Sequence, residues 1–252
     1  MGTATFVNAR LKIDRAMRHI NELQYVISTF LKTDFYKLWM DAETEPGWYG
    51  IRYETKPLPA EIPLIIGDVI HNLHAPLDCI ASEIARSIRK DSDRVHFPKD
   101  ETRDRVARSS HLALMVQAAP RLKDVILDQI CPYRGGRYAL WEIGKLDNID
   151  KHKLLVPSFG ISRLSGICAI DDNGNGVYNA SVTVDAGARF NLAALGVPAR
   201  ITNFGKPTFY ISFAQGSLFD GEPIVPTLIQ LSQFVREAVS ILEQASFGAP
   251  DA

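Results

Sequence analysis

The sequence predicts an α+β fold: an N-terminal helical bundle with a short strand insert, then an antiparallel β-sheet, then a C-terminal helix. Three observations carry this. Residues 8–153 hold apolar side chains mostly at helical spacing, residues 154–214 are rich in Val, Ile, Phe, Gly and Asn with turn signals, and residues 225–245 return to helical spacing. Helices followed by strands and a last helix point to segregated layers and not to a doubly wound sheet.

Taken in order, Leu11, Met17, Ile20, Leu23, Ile27, Phe30 and Leu31 predict one long amphipathic helix over 8–38, broken by Asp41 to Pro46. Trp48 to Glu54 alternates and is aromatic, which predicts a strand. Pro57, Pro59 and Pro63 lead into a second helix over 61–89, and short helices follow at 100–117 and 120–130. Cys131-Pro132-Tyr133-Arg134-Gly135-Gly136 is a turn-rich break before a helix over 137–152. Strands are expected at 154–159, 166–171, 176–185, 188–195 and 207–214, antiparallel because the connections are short. The mainly helical region 1–153 and the strand-rich region 154–252 are expected to pack as one unit.

Composition sets bounds. The chain has 252 residues, a formal net charge of -1 and 46% hydrophobic residues, an ordinary globular profile. No basic excess favours a nucleic-acid partner, although the balance leaves room for a local basic patch. No apolar run opens the chain, so the expectation is a cytoplasmic protein without a membrane span. Cys79, Cys131 and Cys168 form no CxxC pair, which supports neither a disulfide framework nor a zinc knuckle.

The polar groups that stand out lie in two segments, 67–78 and 146–153. On a helical wheel, Val69, Leu73, Leu77, Ile80, Ile84 and Ile88 form a core stripe, with Asp68, His71, Asn72, His74 and Asp78 opposite. The plain reading of that polar side is a solvated face. However, it lacks Lys and Arg before Arg86, and Gly67, Ala75 and Cys79 leave room for another element. Pro76 cannot donate to the carbonyl of Asn72, so a kink is expected. In the second segment Asp147 and Asp150 fall on the side of Leu140, Ile143 and Leu146, while Lys145, Asn148 and His152 fall opposite. A buried carboxylate must be paired, hydrogen-bonded, metal-bound or protonated. The alternative is a helix that ends near Ile149 with Asp150 capping a turn.

These residues give the candidate site. His71, Asp78, Asp147 and Asp150 are the candidate catalytic groups, with Asp78 orienting a histidine one or two turns away. Asn72, His74, Lys151 and His152 are the candidate substrate contacts, and Asp68, His71 and Asp147 would ligate a divalent metal. Metal-assisted hydrolysis of a small molecule is the first functional expectation. A metal-free ribonuclease of the HEPN type is a second, carried by His71-Asn72 and Asp150-Lys151-His152-Lys153 without the Arg-to-His order of that type. A non-catalytic binding or assembly module, self-associating or using Trp39, Trp48, Tyr49 and Tyr53, is a third.

Other motifs fall away. Asp171-Asp172-Asn173-Gly174-Asn175-Gly176 opens like an EF-hand loop, but Val182 stands where the bidentate Glu belongs, so a hairpin turn is expected. There is no GxGxxG after a strand, and no GxxxxGK[ST], HExxH or GxSxG. The series Gly67-Asp68-x2-His71-Asn72-x5-Asp78, Phe97-Pro98, Pro132-Tyr133 and Leu146-x3-Asp150-Lys151-His152-Lys153 resembles a group of bacterial hypothetical proteins over residues 1–156. That group has Arg where this chain has His74 and Ala where it has Pro76. The resemblance implies a coherent family and no particular activity.

Overall fold

The computed structural model describes residues 6–42, 48–88, 95–171, 173–183, 189–191 and 200–247, apart from the side chains of residues 40, 42, 48, 49, 51, 189–191 and 200. Its order begins α1 (Val7–Phe30), β1 (Tyr36–Ala42), β2 (Trp48–Thr55), α2 (Glu61–Arg86), α3 (Arg103–Ala107) and α4 (Ser110–Ala118). It continues with α5 (Leu122–Asp124), which runs into a π-helical segment (Val125–Ile130), and α6 (Leu140–Asp150). Last come β3 (Pro157–Ile170), β4 (Gly176–Thr183), β5 (Arg189–Asn191), β6 (Arg200–Phe213) and α7 (Ile224–Phe247). The class is α+β, as the sequence predicts. Among the described residues no helix is long and apolar enough to cross a membrane.

The first predicted helix is too long. It stops at Phe30, where Thr33 turns back and donates both its backbone N–H and its Oγ1 hydrogen to the Phe30 carbonyl. The residues beyond it, Tyr36 to Ala42, pair antiparallel with β2 from Tyr36↔Thr55 to Ala42↔Tyr49. The second predicted helix ends at Arg86 and not at 89. Pro76 sits inside α2, and the helix runs through it.

The strands form two three-stranded sheets, β1-β2-β5 and β4-β3-β6, and not one. The two strands expected at 154–159 and 166–171 are the single strand β3, paired with β6 from Pro157↔Phe213 to Ile170↔Arg200. Where the expected strands are separate, Ser165-Gly166 forms a bulge within β3, with Gly166 at φ +82 and a register shift against β4. The part of the expected strand at 188–195 beyond residue 191 lies outside the described residues. Asp171 closes the β3–β4 hairpin by accepting from the backbone N–H of Asn173 and Asn175, each at 2.8 Å.

One core joins both halves of the chain. Ile13, Ile20 and Leu23 of α1, Ile66, Leu73 and Ile80 of α2, and Leu228, Val235 and Leu242 of α7 are all buried in it. Strands β3 and β6 attach through an aromatic cluster in which Phe35 meets Phe30, Phe159 and Phe209 at centroid distances of 4.8, 5.5 and 4.7 Å. Phe35 is 1% exposed and touches the end of α1, β3 and β6 at once. Replacing Phe35 by Ala should therefore cost about 3–5 kcal/mol, read as a lowered urea midpoint; a loss within experimental error would show that this cluster does not anchor the sheets.

Candidate functional site

The polar face of α2 is only partly solvated: Asp68 and His71 are exposed, while α6 and the loop 95–100 pack on the rest. Asp147 of α6 is 2% exposed and meets three donors. His71 Nδ1 lies 3.0 Å from its Oδ1, His74 Nδ1 3.0 Å from its Oδ2, and Lys151 Nζ 2.6 Å from Oδ2. The contacts on Oδ2 are short ion pairs and not well-aligned hydrogen bonds. Burial alone would raise the Asp147 pKa, but His74, Lys151 and His71 together outweigh it and hold the carboxyl well below its ordinary range. An ionised carboxylate only accepts, so both histidines carry their proton on Nδ1 toward it. Their Nε2 atoms are then the acceptors.

The two Nε2 atoms face different surroundings. That of buried His74 meets Lys99 Nζ at 2.6 Å, which completes a chain Asp147–His74–Lys99. Burial lowers the Lys99 pKa, opposed by the charges of Asp78 and Asp147, so the ammonium gives up its proton more readily than an ordinary lysine. The side chain of His71 is 55% exposed, and its Nε2 has no partner among the described residues.

Lys99 is the residue the sequence reading missed. It follows Phe97-Pro98, a loop fixed at both ends. The Phe97 N–H donates to Asp78 Oδ1 at 2.9 Å, and the Asp100 N–H donates to the Pro132 carbonyl at 3.2 Å. Its methylenes cross α6 at Gly144, where a Cβ would overlap them. That glycine inside a helix, facing a loop lysine, is the one local signal that points to the contact.

The expected site residues separate into groups. His71, His74, Asp147 and Lys151 come together. Asp150 lies one turn further along α6, where a Cβ on Gly67 would overlap its carboxylate. Its Oδ1 is buried without a hydrogen-bond partner. Burial, then the charges of Asp147 and Asp68, raises its pKa, opposite to Asp147. Asp78 does not orient a histidine of its own helix; it holds His96 Nδ1 at 3.0 Å and the Phe97 N–H. Its pKa ends lowered, because Lys99, Phe97 and His96 outweigh its burial. Asn72 donates to the Asp68 carbonyl at 2.8 Å and faces the neighbouring groove. His152 is exposed beyond the end of α6.

The expected metal set of Asp68, His71 and Asp147 is not assembled. Among the described residues no group of three or more His, Cys, Asp or Glu side chains is arranged to hold a metal ion. The oxygens of Asp147 are committed to His71, His74 and Lys151, so the donor set does not fit a cation. Of the aromatic surface, Trp39 donates to Asp41 Oδ2 at 3.1 Å and Tyr53 is 39% exposed, while the side chains of Trp48 and Tyr49 lie outside the described residues.

No family model matches this chain, and neither a curated protein nor a solved structure matches it.

Two outcomes are expected of this geometry. Asp147→Asn removes the charge while leaving polar atoms in place, and should cost about 3 kcal/mol, since it leaves imidazole and ammonium groups without their counter-charge. The folded pKa of Asp147 is depressed, so its stabilisation is present above the unfolded value of about 4 and is lost as pH falls below it. Urea midpoints of the wild type should fall between about pH 5 and pH 3 more steeply than those of Asp147→Asn; parallel curves would sink the assignment. In the second case, Gly67→Ala should push Asp150 out of its contact with α2 and lower stability, whereas the same change at exposed Ala-tolerant helix positions such as Asn148 should not.

Proposed function

We propose that the protein is a hydrolase working by metal-free acid–base chemistry at the solvent-exposed edge where α2 packs on α6, beside half-exposed His71. The observation that carries this reading is the Asp147 clamp, which fixes the tautomer of half-exposed His71 and leaves its Nε2 as an acceptor toward solvent. An imidazole held this way is suited to take a proton from water near neutral pH. The water oxygen then bonds to the electrophilic centre of the substrate, and the bond to the leaving oxygen breaks.

Asp150 is assigned as the acid that returns a proton to that leaving oxygen. Two carboxylates three residues apart, one pushed down and one pushed up, support a division of roles. Lys151, half exposed on the same carboxylate as His71, supplies positive charge beside the oxygen that becomes negative. Asp147 and His74 are positioning residues. The chain through His74 to Lys99 gives a second reading, a structural latch between α2, α6 and the loop, favoured by the near-complete burial of His74.

The two readings part on activity and stability. The wild type, His71→Ala and Asp150→Asn would be assayed on p-nitrophenyl acetate, p-nitrophenyl phosphate and bis(p-nitrophenyl) phosphate with and without EDTA. The expected result is turnover of at least one substrate that survives EDTA and falls about 100-fold or more in either variant, the scale of a lost general acid or base. Melting temperatures within a few degrees of wild type should accompany that loss. Absence of turnover by wild type, or equal turnover by His71→Ala, would leave the latch as the function of the cluster.

A further inference from the structure

α1 and α2 enclose an open groove of about 510 Å³. Residues from α1 supply Lys12, Arg15 and Arg18, and residues from α2 supply Asn72, Cys79 and Ser82 along the facing wall. The helices run antiparallel, since Asn8 at the start of α1 donates to Glu83 near the end of α2 at 3.5 Å. Arg18 and Asn72 therefore share one end of the groove, and His71 is the residue before Asn72 on α2.

The charge pattern of this groove is one-sided. None of Lys12, Arg15 and Arg18 is in an ion pair with another described residue, although the chain as a whole has a net charge of -1. Arg15 and Arg18 are exposed, and Lys12 is half-buried. Glu83 is the one carboxylate among the described lining residues; burial raises its pKa, and its carboxylate is engaged by Asn8. The Cys79 thiol on the floor is pushed up by burial, so it adds no negative charge. Cations that are not neutralised inside a concave wall focus a positive potential.

We infer that this groove binds the phosphate backbone of single-stranded nucleic acid and delivers a phosphodiester to His71; the inference rests on the hydrolase reading for its second half only. Lys12, Arg15 and Arg18 recur every three residues and span about 9 Å of helix axis at 1.5 Å per residue. A strand with one charge per about 3.4 Å sets two to three phosphates against them. The groove is open along its length, whereas a site for a small ligand is usually enclosed. Among the described lining residues none is aromatic to stack a base, so binding is through the backbone and indifferent to sequence.

The test is fluorescence anisotropy of the full chain with a short labelled oligouridylate, titrated with KCl. Wild type should bind, with an affinity that falls steeply with salt. The Arg15→Gln/Arg18→Gln double variant should bind about tenfold or more weakly at low salt, with the log–log salt slope reduced by about 1.4, or 0.7 per lost phosphate contact. Arg15→Lys/Arg18→Lys, which keeps both charges, should bind nearly as wild type does. Circular dichroism melts of both variants check that they fold. No binding by wild type at low salt would overturn the inference, as would equal binding by the glutamine variant. Equal competition by phosphatidylserine vesicles would overturn it too, because the surface would then be a membrane contact. The assay reads binding alone, so hydrolysis of the chromogenic substrates without oligouridylate binding removes the groove and spares the hydrolase, while binding without any hydrolysis does the reverse.

Discussion

A single buried carboxylate decides how the two central helices meet. Taking Asp147 out of water costs several kcal/mol even after relaxation of its surroundings. Three donors from two elements, His71 and His74 of α2 and Lys151 of its own helix, offset that cost. Leu140, Ile143 and Leu146 bury α6 in the core, and the clamp joins it to the polar side of α2, whose apolar stripe faces α1 and α7. Positions that lack side chains complete the fit: Gly67 admits Asp150, and Gly144 admits Lys99. The interface is thus polar in the middle of an apolar fold, with Asp147 held by three donors and Asp150 Oδ1 left without one.

That arrangement also separates two carboxylates that sequence alone makes look equivalent. Asp147 and Asp150 are three residues apart on one helix, yet their pKa values move in opposite directions. The first faces donors; the second faces a glycine backbone and two neighbouring acids. A charge stabilised in one place raises the cost of a second charge nearby. The clamp that ionises Asp147 therefore adds to burial in raising the pKa of Asp150, so one structural feature shifts two neighbouring carboxyls in opposite directions.

Much of this was legible from periodicity. The wheel that placed Asp147 among leucines rested on a helix long enough to define its faces, and Asp147 is buried with its partners. The same wheel set Asp68, His71, Asn72, His74 and Asp78 together, but it could not say what covered them, since α6 comes from a distant part of the chain. Asp78 shows the limit: spacing suggested a partner on its own helix, and the partner is a loop 18 residues on. Lys99 was invisible because a loop lysine has no periodicity to betray burial. The end of α1 was misplaced for a related reason. Residues 31–38 continue the apolar spacing of a helix, and only the Thr33 bonds and the pairing with β2 override it. The strands expected at 154–159 and 166–171 are one strand bent by a bulge at Ser165-Gly166, which pairing with both neighbours makes intelligible and spacing does not.

Net charge misleads in the same way. A value of -1 averages over the whole surface, and it hides cations gathered on one stripe of α1. Acids elsewhere on the same helix are paired outward or along it: Asp14 with Arg236, and Glu22 with His19. They do not neutralise Lys12, Arg15 and Arg18, which lie on the side that faces α2. Attraction for an anion depends on the local potential within about a Debye length, roughly 8 Å at physiological salt, and not on the sum. The groove ends at Asn72, the residue after His71, whose Nδ1 is held by Asp147. Three cations on one stripe of α1, and an imidazole held by a buried carboxylate one residue from the groove's end, are an arrangement that neither the composition nor either segment alone displays.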